Sequence, residues 1–578
     1  MNATVRLRIW YILLVAVSIV FIARLFYLQI IKHDYYRSQA LGGQLKEYNI
    51  PSQRGSIKAY DGTRIVPIVL NENLYTLFAD PKFIKSPEEY AAKLIAITGG
   101  DVQRYTELMG SKNTRYVVLV KKLSSQQHQK IDSLALKGIG TRETSYRTYP
   151  QGTLASQLLG FVNDDGQGTY GIEQALNVSL SGKPGLLKAI TDASGVPLVA
   201  SRDNIQLDPQ AGRDVVLTVD IGIQKRLEEI LKQGLDNARS ASGSALILEA
   251  DSGAIKAMTN WPTYNPAEYY KVDDTALFTN PAVSSPLEVG SVMKTLTAAA
   301  ALDKGVVNKN TTYFDPSFVK LDGETITNIE EDGGPGTRSL TDILQLSLNT
   351  GAVWLLKQMG GGNVNEKART VWYDYMVNHY QFGKKTGIEQ GYEAVGSIPD
   401  PIKGFGLNIQ YANTVFGQGM SVTPLQLGAA LASVVNGGTY WKPHLVQGYL
   451  GVATKLSVKK PQAARTQAVQ ASTSDTLRSL MGYIVFKNIP GGPRAGYIIG
   501  GKTGTAQVPK PGGGYFEDKY NGMYIGFVGG DRVQYVIVVR VNEPRIAGYA
   551  GSQAAQPIFI KIAHTLIDNF GVKPKTTP

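Results

Sequence analysis

In EVGSVMKTLTAAAALDKG, residues 288–305, a serine and a lysine stand three positions apart at the head of a helical run that ends at Gly305. A free ammonium group has a pKa near ~10.4, so at neutral pH only about one part in a few thousand is available as a base. The local sequence supplies reasons for this lysine to differ. Gly290 lets the chain turn sharply into the helix, which puts Ser291 at the positive end of the helix dipole. Positions i and i+3 share a helix face, so the Lys294 amine can reach the Ser291 hydroxyl. Met293, Leu296 and the alanine run would bury the amine, and desolvation lowers a lysine pKa. A drop of about three units corresponds to roughly 4 kcal/mol, which apolar walls and a second nearby cation can supply. Taken alone the pair fits a capping serine and a solvated lysine, and the same S-x-x-K spacing recurs at Ser317 and Ser457.

Two further motifs follow in order. SLNTG carries Ser347 and Asn349, and GGKTGTA carries Lys502, Thr503, Gly504 and Thr505. Each has a rival elsewhere: Ser111-Lys112-Asn113 is another S-x-N, and Lys385-Thr386-Gly387 another K-T-G. Lys502 directly follows the apolar YIIGG and leads into TAQV, as an edge strand should, whereas Lys385 follows no apolar strand. Such a strand can offer backbone groups to an extended peptide while its lysine meets a carboxylate. GYIIGGKT, residues 496–503, also satisfies a nucleotide-binding expression. A phosphate loop needs a helix after the threonine, and Gly504, Pro509 and Pro511 argue against one.

Around these motifs the carboxy-terminal half reads as an α/β, or α+β, domain with an antiparallel sheet and helices on its faces. DVVLTVD is an apolar strand, and IGIQKRLEEILKQGLDNAR places Ile223, Leu227, Ile230 and Leu231 on one helical face. SALILEADSGAIKAM is a hairpin around Asp-Ser-Gly. YIIGGKTGTAQV, GMYIGFVGG and RVQYVIVVRV are successive strands, followed by a helix through PIFIKIAHTLIDNF. Residues 45 to about 210 read as short strands and turns with few long helical patterns.

The first 31 residues are of another kind. IWYILLVAVSIVFIARLFYLQII, Ile9 to Ile31, has Arg24 as its only charge, and as a helix would be roughly 34 Å long, enough to cross a bilayer. No small-x-small cleavage site follows, so an uncleaved single-pass anchor is expected. Arg6 and Arg8 favour a cytoplasmic amino terminus, against Lys32, Arg37 and Lys46 beyond the span. The expected organisation is a tail at 1–8, an anchor at 9–31, an amino-terminal domain at 32–210, a domain carrying the three motifs at 211–570 and a tail at 571–578.

Bulk properties exclude several classes. The 578 residues carry 59 Lys and Arg against 47 Asp and Glu, a net charge of +12, but no basic run of five and no nucleic-acid-binding signature. Nucleic acid is therefore not an expected partner. With no cysteine there is neither a disulfide framework nor a thiolate metal site. The five histidines form no i,i+4 pair and adjoin no serine motif, so neither metal nor cofactor is expected.

The order Ser-x-x-Lys, Ser-x-Asn, Lys-Thr-Gly resembles the motif set of penicillin-binding proteins and serine β-lactamases. More specific strings extend the likeness along most of the chain. RLFYLQI, RGSIKAYDGTRI, YPQGTLASQLLGFVNDDGQGTYGIEQALN, FGQGMSVTPLQLGAA and VVNGG are similar to class B penicillin-binding proteins of the FtsI type, and no segment resembles the glycosyltransferase domain of class A relatives.

The resemblance implies a peptidoglycan D,D-transpeptidase with an extended β-rich pedestal, acting on stem peptides in septal wall synthesis and inhibited covalently by β-lactams. It implies that Ser291 is the nucleophile, Lys294 its base, Ser347 a proton shuttle, Asn349 a donor-peptide contact, and Lys502, Thr503 and Thr505 a carboxylate site. The Ser291 and Thr505 amides would form the oxyanion hole. A SEDS-type glycosyltransferase and divisome proteins would be partners, with the catalytic domain outside the cytoplasmic membrane. An elongation-type enzyme, a silent scaffold and a tethered β-lactamase are the alternatives. Two departures are visible: Val289 stands where the family usually has proline, and QGYEAVGSIP is a loose version of its segment.

Overall fold

The computed structural model describes residues 3–36, 45–190, 205–328, 334–451 and 455–576. These form two compact units, residues 1–54 with 181–212, and residues 55–180 with 213–578. The first holds the amino-terminal helix Ala3–Phe26, prolonged by a wider turn Tyr27–Ile31. The helix begins six residues before the apolar run, because Val5, Arg6, Leu7 and Arg8 continue the pattern without a breaker. None of it is buried in protein, and its 29 residues are long and apolar enough to cross a membrane. The same unit holds an antiparallel sheet in which Gly185–Ile190 lies between Leu45–Ile50 and Ile205–Leu207.

The second unit opens with the hairpin Ile57–Asp61 and Arg64–Ala79, extended by Val117–Leu123 and Ile139–Thr148. Strand Ile57–Asp61 also pairs in parallel with Asp214–Asp220, which pairs in turn with Val446–Leu450. Segments on either side of residue 210 thus share one sheet. Three helices, Pro87–Thr98, Val102–Gly110 and Ser125–Ser133, occupy a segment expected to hold few. Each buries only one or two residues, so its apolar periodicity is faint. The caps are plainer: Asp101 accepts from Gln103 N–H, and Ser124 and Gln127 form a capping box. A buried ion pair, Arg147 Nε to Glu173 Oε1 at 2.7 Å, ties the end of the Ile139–Thr148 strand to the short helix Gly171–Ala175.

The part that carries the three motifs is built on a five-stranded antiparallel sheet in the order Ile255–Trp261, Ser242–Glu249, Val533–Asn542, Tyr515–Gly529, Ile498–Pro509. Both faces are covered, so its central strands read as continuous apolar runs. Ile537, Val539 and Val541 join a core with helices Ile221–Asn237 and Gln556–Asn569. Val536 and Val538 point the other way, into the core of helices Met293–Asp303 and Pro424–Val435. Asp220 caps the first of these helices through Gly222 and Ile223 N–H, and the expected Ile223, Leu227, Ile230 and Leu231 form its buried face. Every residue from Met293 to Ala301 is buried, as befits a helix that is apolar nearly all round.

Candidate active site

Ser291 lies in a single tight turn, Gly290–Val292, that feeds the helix Met293–Asp303. Gly290 takes φ +62°, a left-handed conformation in which a Cβ is strained. Ser291 does not cap the helix: its Oγ accepts from Lys294 Nζ at 2.9 Å. One helical turn brings the two together, as the i,i+3 spacing anticipates.

The Lys294 amine is fully buried. It donates to Asn349 Oδ1 at 2.7 Å, to Ser347 Oγ at 3.2 Å and to the Ser347 carbonyl. All of these acceptors are neutral oxygens, and the Phe416 ring centre lies 6.0 Å away. Ser347 sits between helices Leu340–Gln345 and Asn349–Met359 with φ +61°. A non-glycine residue there is held in a sparsely populated conformation by its surroundings. The strain turns its hydroxyl toward both lysines, because Lys502 Nζ also donates to Ser347 Oγ, at 3.0 Å.

Lys502, only 2% exposed, comes from the edge strand Ile498–Pro509. It further donates to the Thr503 carbonyl at 3.1 Å. Gly504 allows this strand to press against the nucleophile turn. A Cβ on it would stand 2.6 Å from the Val289 carbonyl oxygen. Thr505 Oγ1 accepts from Gly551 N–H at 3.0 Å, leaving its own proton to donate. The eight residues singled out in the sequence are therefore brought together where the edge strand meets the turn Gly290–Val292 and Ser347, beside the cleft that continues along the strand.

The rival motifs are engaged elsewhere. Lys112 Nζ donates to the Pro81 and Ile84 carbonyls at 2.5 and 2.6 Å, and Thr386 Oγ1 donates to Glu393 at 2.6 Å. GYIIGGKT runs into strand, with no helix after Thr503.

Other contacts around the cleft had no local signature. Glu288, three residues before the nucleophile, accepts from Gly419 N–H at 2.9 Å and from Tyr515 Oη at 3.0 Å. Burial pushes its carboxyl above the usual range, against these donors. Asn349 Nδ2 donates to Thr327 O at 3.0 Å, holding the hairpin Phe318–Leu321 and Glu324–Thr327 beside the site. Val289, the residue before Gly290, is fully buried.

Comparison with known proteins bears on the family of the chain and on its fold. Residues 243–564 match the penicillin binding protein transpeptidase domain, and residues 49–217 the penicillin-binding protein dimerisation domain. Stage V sporulation protein D of Bacillus subtilis is 32% identical over 99% of this chain and 87% of its own length. Peptidoglycan D,D-transpeptidase FtsI of Escherichia coli is 26% identical over 96% of this chain and 90% of its own. The fold is shared with penicillin binding protein 3 of Mycobacterium tuberculosis complexed with aztreonam, at a TM-score of 0.68 and 23% identity over 91% of this chain and 98% of that one. With both domains matched and a relative 32% identical over 99% of this chain, the chain belongs to the penicillin-binding protein family, in its class B, FtsI-type branch.

Proposed function

We propose that the chain is a peptidoglycan D,D-transpeptidase that works through a Ser291 acyl-enzyme. The observation that carries this reading is the single hydroxyl, Ser347 Oγ, bonded to both buried lysines while one of them holds the nucleophile. Ser291 Oγ attacks the carbonyl of a D-Ala–D-Ala amide and its proton passes to Lys294. That step needs an uncharged amine whose lone pair accepts the Ser291 O–H across the same 2.9 Å, and burial beside a second amine disfavours an ammonium. The developing oxyanion is met by the Ser291 and Thr505 N–H groups, each such donor being typically worth about 3–4 kcal/mol. The proton travels through Ser347 to the leaving nitrogen, the amide C–N bond breaks, and D-alanine departs. An amine from a second stem then attacks the ester, its proton returning by the same path, and Ser291 is restored. Asn349 holds the donor, while Lys502, Thr503 and Thr505 take its terminal carboxylate.

The family supports covalent capture of β-lactams by Ser291, and the aztreonam complex of a structural neighbour is consistent with it. The apolar helix Ala3–Ile31 supports a single-pass anchor in the cytoplasmic membrane, and the resemblance implies that the catalytic domain lies outside. We assign the enzyme to septal wall synthesis beside a SEDS-type glycosyltransferase, the role that the resemblance to FtsI-type proteins implies. Wall synthesis in sporulation is the second reading, favoured by the sporulation protein at 32% identity.

Labelled penicillin tests the chemistry. The wild type should form a long-lived adduct and Ser291→Ala none; equal labelling refutes the assignment, and rapid hydrolysis of the drug would indicate a β-lactamase. Depletion in cells separates the roles: filaments indicate division, rounded cells elongation, and a spore-specific defect sporulation.

A further inference from the structure

Beyond Thr505 the catalytic strand runs along a cleft of about 410 Å³ walled by Glu288, Gly419, Gln507, Pro509, Asn521 and Arg540. Arg540 lies on strand Val533–Asn542 opposite Met523, which in turn faces Gly504. It therefore points to the same side of the sheet as Lys502, two strands in from the edge. It is only 9% exposed.

Its guanidinium donates through Nε to Asn542 Oδ1 at 2.6 Å, and through Nη1 to the Ser285 carbonyl and hydroxyl at 3.1 and 3.2 Å. No described residue offers an acceptor to Nη2, and none places a carboxylate within salt-bridge distance of the group. Glu288, in the same cleft, is taken up by Gly419 and Tyr515. A buried cation without a counterion is costly to hold. Burial alone pulls the Arg540 pKa down to about 10.

We infer that Arg540 is a specificity residue that receives a free carboxylate carried by an internal residue of the donor stem peptide. The inference rests on the transpeptidase reading above. A donor whose terminal carboxylate lies at Lys502, Thr503 and Thr505 has its remaining chain free to follow the strand. At about 3.4 Å per residue, Gln507 lies roughly 7 Å past Thr505. An acidic residue one or two positions before the scissile bond then reaches the cleft, and the guanidinium fork suits a carboxylate better than a neutral amide. Of the other polar walls, Gln507, Asn521, Ser397 and Ser421 are neutral, and the Glu288 carboxyl, pushed above its usual range by burial, is held by Gly419 N–H and Tyr515 Oη.

The experiment uses the full-length protein in detergent and two synthetic pentapeptide donors, identical except that one internal carboxylate is a carboxamide in the second. Release of D-alanine gives kcat/KM for each, and acylation by labelled benzylpenicillin reports on the catalytic groups alone. The wild type should prefer the carboxylate donor by about tenfold or more, the scale of one charge-assisted hydrogen-bonded pair. Arg540→Gln should abolish that preference while leaving the carboxamide donor and penicillin acylation within about threefold of wild type, the spread of a surviving neutral hydrogen bond. Arg540→Lys, which keeps the charge, should retain a preference. Equal turnover of both donors by the wild type, or loss of the preference in Arg540→Lys, overturns the inference. So does a parallel fall of both donors and acylation in Arg540→Gln, which would mark a residue that merely supports the Ser285 loop. If the wild type neither releases D-alanine nor is acylated, the transpeptidase reading fails first and takes the subsite with it.

Discussion

Gly290→Ala tests whether the contact between the nucleophile turn and the catalytic strand sets the rate. The native φ of +62° costs an alanine roughly 1–2 kcal/mol. The new Cβ would also stand 2.5 Å from the Thr505 carbonyl oxygen, where ordinary van der Waals contact begins at 3.4 Å. Either the turn or the strand must therefore give way by about 0.9 Å, the difference between those two distances. A misplacement of about 1 Å between reacting groups costs on the order of 100-fold in rate, close to 2.7 kcal/mol of activation free energy. Ser291 and Thr505 stand on opposite sides of that contact, and both are assigned to the oxyanion hole. The second-order rate of acylation by labelled penicillin should fall by about this factor, while thermal unfolding shows a protein that is still folded. A folded Gly290→Ala variant acylated within about twofold of wild type would show that the close approach does not govern the geometry.

Three other outcomes are expected. Glu173→Ala leaves the buried Arg147 guanidinium without its carboxylate, so the denaturation midpoint should report a loss of about 3–5 kcal/mol; penicillin acylation of the protein that remains folded should be unchanged. Glu288 has a carboxyl raised by burial, so the folded state binds its proton more tightly than the unfolded state. Its stabilising contribution is present below the unfolded pKa and lost as pH rises through the folded value. Glu288→Gln should therefore gain on wild type as pH rises through the mildly acidic range, and parallel stability profiles would contradict the assignment. Lys385→Ala removes the rival Lys-Thr-Gly lysine and should leave acylation within about twofold, as a surface substitution does, whereas Lys502→Ala should lose most of it.

Much of this molecule was legible in one dimension because its signals are local. The apolar run Ile9–Ile31, the one-sided helix Ile221–Asn237 and the paired strands Tyr515–Gly529 and Val533–Asn542 announce themselves by composition and period. The Ser291–Lys294 pair did so too, because one helical turn is a fixed distance. The helices between residues 87 and 133 did not, since each buries too few side chains to leave a period.

Folding alone brought Lys502 to a serine 155 positions earlier, and Tyr515 to Glu288 across 227. Motif order could propose the first meeting but carries no distances, and nothing in the chain hinted at the second. Arg540 is the sharpest case. Within RVQYVIVVRV it is an arginine near the end of an apolar strand, and only the pairing of its neighbours turns it toward the same side of the sheet as Lys502, with no described carboxylate within salt-bridge distance. Side-chain period and helix pitch are properties of a few consecutive residues, whereas burial, counterions and close backbone approach belong to pairs of segments. The sequence alone therefore determined the elements and the chemistry they carry, and the tertiary structure decided which charges meet and which are left to wait for a ligand.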